Sequence, residues 1–234
     1  MFAECESLTN LDLSHFDTGS VQTMENMFYG CIRLQELDLS SFNTANVENM
    51  MMLFDSCESL TELDVTGFDT SNVVNMYGMF CGCSQLQQLD VSGFVTSKVE
   101  DMASMFSNCK QIRTLDVSAW DTANVKDMNG MFAVCCELQT LDVSGFNTAR
   151  VADMSDMFIQ CYVLENLDVS NFDTANVEKM DGMFAACKAL KTLDVSGWVT
   201  AKVNNMSQMF LWTNLENLDL SNWIIPADEN LGLN

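Results

Sequence analysis

The residues of this chain best placed to do chemistry are carboxylates at a fixed interval. Asp12, Asp38, Asp64, Asp90, Asp116, Asp142, Asp168, Asp194 and Asp219 recur every 26 residues, the last one place early. Two places after each comes Ser or Thr, and two places before it a mixed polar residue, among them Glu36, Glu62 and Gln88. An unbroken row of like charges costs roughly 1 kcal/mol per neighbouring pair about 5 Å apart, even at the dielectric of water. Two readings account for it. Ser and Thr hydroxyls on the same and adjacent coils can hydrogen-bond the carboxylates into a ladder. Alternatively the row is a negative strip for a basic partner, or a line of weak Ca²⁺ sites. Calcium sites draw six or more oxygens from shaped loops, and no Gly-rich Asp motif of that kind occurs. As a binding strip, its residues are Asp38, Asp64, Asp90, Asp116, Asp142 and Asp168, with Glu36, Glu62 and Gln88 alongside.

Other reactive groups point away from catalysis. His15 is the only histidine, and no phosphate loop or nucleophile elbow is present, so no asymmetric pocket is implied. The reading is therefore not an enzyme, with no metal and no cofactor. Eight of ten cysteines form a column from Cys5 to Cys187. One Cys per repeat between apolar columns behaves as a small buried hydrophobe rather than as a disulfide framework. A row of Thr from Thr18 to Thr200 allows an ice-binding reading, but only one rank exists. Asp17-Thr18 and its equivalents read better as turn chemistry. Where that Asx becomes Val95 or Val199, the residue three later becomes Lys98 or Lys202.

The net charge is −23, with fourteen acidic groups and one basic group over residues 1–97, and nineteen and nine over 98–234. Such a surface repels nucleic-acid phosphates and anionic lipid headgroups. Basic proteins remain as partners. No stretch reads as a signal peptide or a membrane span.

These side chains are positioned by a 26-residue repeat whose units start at residues 1, 27, 53, 79, 105, 131, 157, 183 and 209. A period in this range marks a solenoid. All fifteen Phe fall in two columns, and sixteen of eighteen Met in two more. Leu11-Asp12-Leu13-Ser14 and its equivalents alternate apolar and polar, which predicts a strand with one buried face. Met24, Met27, Phe28 and Cys31 stand at i, i+3, i+4 and i+7, which predicts a short helix. Thr23, Asn49, Asn75, Asp101, Asp127, Asp153 and Asn205 would cap it. Gly78, Gly130 and Gly182 weaken it. The expected fold is an α/β, right-handed, leucine-rich-repeat-like solenoid. It has nine coils in a single domain over residues 1–234, with one parallel sheet and short helices. Unit nine, with Thr213 in the Cys column and the only proline, Pro226, reads as a degenerate C-terminal cap. Met1 already occupies a core column, so the first coil reads as uncapped and open to end-to-end stacking, as in a segment of a longer array.

The consensus MFxxCxxLxxLDVSxFxTxxVxxM resembles the BspA-like leucine-rich-repeat surface proteins. This is a 26-residue bacterial repeat, first described as a domain of unknown function and common in lipoproteins and wall-anchored proteins. Units one to eight match it fully and unit nine loosely. The resemblance implies extracellular or cell-surface display and adhesion to protein or host-surface ligands, and it supplies no catalytic residues. The alternatives are a structural extracellular spacer and an intracellular scaffold.

Overall fold

The computed structural model describes residues 1–227 and 229–233. Successive repeats stack in register as coils of a solenoid. A row of parallel backbone bridges runs Thr23–Asn49–Asn75–Asp101–Asp127–Asp153–Lys179–Asn205, one per coil. The apolar columns point inward. Phe28, Phe54, Phe80, Phe106, Phe132, Phe158 and Phe184 are fully buried. From Phe2 to Phe210 their rings lie 5.6–5.9 Å apart, centroid to centroid, tilted by no more than 11° from one another. Burying such rings stabilises by about 1.5–3 kcal/mol each. Trp120 and Trp198 replace Phe in the second aromatic column, and each indole N–H donates to a Val carbonyl of the preceding coil. That satisfies the polar atom which Phe lacks.

The cysteine column is a row of free thiols, exposed at Cys5 and buried from Cys31 to Cys187. Each Sγ from Cys31 to Cys187 lies 3.1–3.3 Å from the carbonyl oxygen of the Phe one coil back. Burial pushes these thiols up, Cys187 to about 12, so they pack as neutral groups.

The predicted helix is absent: no helix occurs among the described residues. In its place are consecutive β-turns. Met27 and Cys31 donate backbone N–H groups three residues back, to Met24 and Phe28 at 3.1 Å, not four back as an α-helix requires. The third residue of each turn, Asn26 and Gly30, has φ of 54° and 69°, the left-handed conformation a type II turn needs. N–H groups of Met24, Asn26, Phe28 and Gly30 donate outward, to carbonyls of the next coil at 2.8–3.0 Å. Alternate amides therefore close turns and bind coils together. Two four-residue turns in sequence place inward side chains at i, i+3, i+4 and i+7, the spacing of a helix face.

The predicted sheet is also curtailed. The alternation of buried Leu and exposed Asp along the strand step is present, but among the described residues its parallel pairing is limited to β1 (Thr114–Leu115) with β2 (Thr140–Leu141) and an isolated bridge between Thr192 and Asn217. Between β1 and β2, Thr114 stands opposite Thr140. Asp116 and Asp142 follow directly and bond the N–H groups of Ser118 and Ser144 within their own coils, so the pairing ends at the Leu.

Where the eighth coil passes into the ninth, Gln208 and Phe210 donate to the carbonyls of Asn230 and Leu231 at 2.6 and 2.8 Å. Asn230 and Leu231 thus stand where the end of a regular ninth coil and the start of a tenth would accept these bonds.

Candidate functional site

The inward Leu and Val of each strand step fix the intervening Asp on the outer face. Asp38, Asp64, Asp90, Asp116, Asp142 and Asp168 are all exposed, as are Glu36, Glu62 and Gln88. In each of the six Asp, Oδ1 accepts the backbone N–H of the Ser or Thr two places on, at 2.9–3.1 Å. The hydroxyls of Thr66, Ser92, Ser118, Ser144 and Ser170 donate to the same oxygen at 2.6–2.7 Å. These are Asx turns, and they take from the strand the N–H that a parallel ladder would use. The hydroxyls bond within their own coil, so the expected ladder of carboxylates bridged from coil to coil does not form.

Among the described residues, no hydrogen bond reaches Oδ2 of these six carboxylates. One oxygen is fixed and the other faces solvent. The hydroxyl first, and then the N–H, of the following Ser or Thr hold Asp64, Asp90, Asp142 and Asp168 below the usual carboxylate range. Ser40 does the same for Asp38. The charge of Asp64 pushes Asp90 the other way, but it is the smallest of the influences on that group. At these five carboxylates local hydrogen bonding outweighs like-charge repulsion.

Between the strand steps lie shallow troughs. One of about 650 Å³ is lined by Glu62, Asp64, Gln88 and Asp90, another of about 520 Å³ by Asp116 and Asp142. Asp168 shares a third, about 530 Å³, with Asp194 and Asp219. Glu36 and Asp38 sit on the same exposed columns one coil before Glu62 and Asp64. No three His, Cys, Asp or Glu side chains converge as a metal site among the described residues. What the column offers chemically is a line of fixed, ionised carboxylate oxygens.

The Thr row has a different role. Thr18, Thr44, Thr70, Thr96, Thr122, Thr148, Thr174 and Thr200 are buried. Thr122 Oγ1 donates to the Asn147 carbonyl at 3.0 Å and accepts the Asn147 N–H at 2.8 Å. All eight donate to a carbonyl of the next coil, and all but Thr96 and Thr148 also accept the N–H of the same residue, so the row has no face to offer ice. The preceding Asx do form turns, as Asp69 and Asn147 show toward Ser71 and Ala149. Lys98 and Lys202, however, answer to a different partner than a missing Asx. They reach Asn72 and Asn176 of the preceding coil, and Arg150, which follows an intact Asn147 turn, reaches Asn124 in the same way.

Sequence reading missed a second acidic row. Asp101, Asp127 and Asp153 accept the N–H two places on, at the positions read as helix caps. The acceptor chemistry was visible; the half-burial was not. Burial raises Asp101 and Asp127. Burial also works on Asp153, but Lys179, 2.8 Å away, and the Ser155 bonds bring it below the ordinary value.

The family described as "Mycoplasma protein of unknown function, DUF285" matches residues 1–114, 81–168 and 135–231. No curated protein matches the chain significantly. Among solved structures, a leucine-rich repeat protein from Eubacterium ventriosum superposes with a TM-score of 0.51 at 14% identity, covering 83% of this chain and 57% of its own. One from Bacteroides ovatus gives 0.45 at 14% identity, covering 91% and 61%. The functional domain of InlJ from Listeria monocytogenes, which includes a cysteine ladder, gives 0.25 at 16% identity, covering 92% and 58%. The chain thus spans less than two thirds of the length of each of these proteins. The first likeness shows the fold: a leucine-rich-repeat-like solenoid.

Proposed function

The chain belongs to the DUF285 family, whose description states no activity, and from the acidic column we propose that it is a non-enzymatic interaction module. The observation that carries this reading is the paired use of each Asp. Oδ1 is fixed by the following Ser or Thr, while Oδ2 is left for a partner. Fixed charges at one per coil favour a basic protein surface, because cations on the partner meet acceptors that need no reordering. Glu36, Glu62, Gln88 and the Thr at 114 and 140 vary from coil to coil and would set specificity. The BspA-like consensus and the leucine-rich-repeat fold support display at a cell surface, with a protein or host-surface ligand.

The test is a pull-down of basic extracellular proteins by the chain and by an Asp90→Asn/Asp116→Asn/Asp142→Asn variant. Asn keeps Oδ1 as an acceptor and removes the charge, so the turns survive. Binding is expected to fall at least about tenfold, as loss of three fixed charges at an interface implies. Undiminished capture would sink the reading and leave a spacer, or another face, as the function.

A further inference from the structure

One surface row alternates in sign. The turns after the strand steps stack because each buried Thr bonds the next coil's backbone. Along coils three to eight their exposed charges run Asp69, Lys98, Asp121, Arg150, Asp173, Lys202. Coils with Asp carry Asn three places on, and coils with a cation carry Val or Asn three places before. The period of this face is therefore two coils.

These charges are held in place without being neutralised. Lys98 Nζ, Arg150 Nη1 and Lys202 Nζ lie 2.6–2.7 Å from Oδ1 of Asn72, Asn124 and Asn176. Each of those Asn is itself pinned through Nδ2 to a carbonyl one coil back, at 2.8 Å. Asp69, Asp121 and Asp173 are fixed by the N–H two places on, at 3.0–3.1 Å. The ion pairs found among the described residues lie elsewhere, at Lys126–Glu100, Lys179–Asp153 and Lys191–Glu216.

We propose that this row is a self-association face whose occupant is a second copy of the chain, laid antiparallel about a two-fold axis. A partner must match charges at the pitch of the coils, and another copy has that pitch by construction. Reversing the order sets Asp69 against Lys202, Lys98 against Asp173 and Asp121 against Arg150. The two-fold repeats each pair, giving six opposite-sign contacts and no like-sign one, in a closed dimer. Exposed Val95 and Val199, 47% and 49% accessible, lie beside Lys98 and Lys202 and would be sheltered. The net charge of −23 on each copy opposes this. At about 0.1 M salt the Debye length is about 10 Å, which screens distant charges more than contacting pairs. Exposed pairs are individually weak, so the dimer is reversible. The face is separate from the Asp12-to-Asp219 column and does not rest on that column's binding role.

The test is sedimentation equilibrium of the 234-residue chain at about 0.1 M and about 1 M salt, where the Debye length falls to about 3 Å. Two triple variants are compared: Lys98→Glu/Arg150→Glu/Lys202→Glu, and Asp69→Lys/Asp121→Lys/Asp173→Lys. The wild-type chain is expected to dimerise reversibly at the lower salt and to weaken at the higher. Each variant alone should associate at least about tenfold more weakly, as several exposed pairs lost together imply, and their equimolar mixture should recover a dimer. Thermal unfolding reports whether both variants fold. If either fails, Lys98→Asn/Arg150→Asn/Lys202→Asn, which uses the residue native to alternate coils, should abolish dimerisation. A wild-type chain that stays monomeric, a folded variant that dimerises like wild type, or a mixture of folded variants that stays monomeric would each overturn the proposal. Open-ended assembly would overturn the closed antiparallel arrangement.

Discussion

Asp90 and Asp127 both accept an N–H from two residues on, yet they respond to pH with opposite sign. Asp90 is exposed, and Ser92 holds its carboxyl below the ordinary value. A group depressed on folding contributes stability above its unfolded value, and that contribution is lost as pH falls through the folded value. Asp127 is half-buried, and burial raises it, with Asp153 and Asp101 adding to the effect and Lys179 opposing it. Stability therefore falls as pH climbs from the ordinary carboxylate range through the raised value, and it stays lower above. Asn occupies the same column at 49, 75 and 205, with the same turn bond. Asp127→Asn should therefore raise the melting temperature at pH 7, and the gain should shrink toward zero below about pH 4, where the wild-type carboxyl is protonated in both states. Ser92→Ala should show the opposite sign, a loss at pH 7 that also vanishes in acid. Melting curves from pH 7 to 3 decide both. Losses of equal size at every pH would mean that packing, not ionisation, separates the two sites.

The element that holds coil to coil is the Thr clamp as much as the aromatic ladder. Thr122→Val keeps the shape of the side chain but removes both part-buried bonds to the Asn147 N–H and carbonyl, at a cost of about 1 kcal/mol for each. Thr122→Ser keeps the oxygen and should lose about 0.8 kcal/mol for the missing methyl. Urea midpoints at unchanged slope would measure the difference, and equal midpoints for Val and Ser would show that the clamp adds nothing. Columns of this kind were legible in the sequence because register alone assigns them: Phe and Cys inside, Asp outside. Conformation within a coil was less legible. Met24, Met27, Phe28 and Cys31 fit a helix face and a pair of four-residue turns equally well, and inward periodicity cannot separate the two. Backbone requirements can. Gly at 30 and 82, and again at 78, 130 and 182, occupies two columns four places apart, and all five have positive φ. A helix has no use for that, whereas successive turns do. The strand step misled in the other direction. Leu-Asp-Val-Ser has the alternation of a sheet, but Asp draws the Ser N–H into its own coil, which no apolar pattern reports. For the candidate site, the outward direction of Asp38 through Asp168 could be read from alternation. The division between a fixed and a free oxygen needed coordinates.

At the scale of the whole molecule, the 26-residue repeat is the unit of sequence, but the unit of fit is a pair of coils. One column runs Met52, Gly78, Ser104, Gly130, Asp156, Gly182, Gln208, side chain alternating with none. At Gly182, φ is +64°, and an added Cβ would collide with Asp156 Oδ1 of the preceding coil. At Gly130 it would stand 3.5 Å from Ser104 Oγ. The side chain of one coil thus extends over the bare backbone of the next. The alternating charges have the same two-coil period, and each cation relies on Asn from the coil before. In a solenoid, where contacts run only between neighbours, stability is close to a sum over coils and their interfaces. On that sum alone, removing one coil should cost less than removing two. The pairing predicts the reverse. Deleting residues 105–130 sets Ser104 beneath Asp156 in the crowded column, brings Lys98 beside Arg150, and removes Asn124, the acceptor of Arg150. Deleting 105–156 sets Ser104 beneath Gly182 and Lys98 beside Asn176, whose Nδ2 can take the Ser97 carbonyl in place of that of Ala149. The chain shortened by 52 residues should therefore unfold at higher urea than the chain shortened by 26, although it has lost twice as much core. A lower midpoint for the 52-residue deletion would show that coils are interchangeable one by one, and the two-coil alternation would then have no energetic weight.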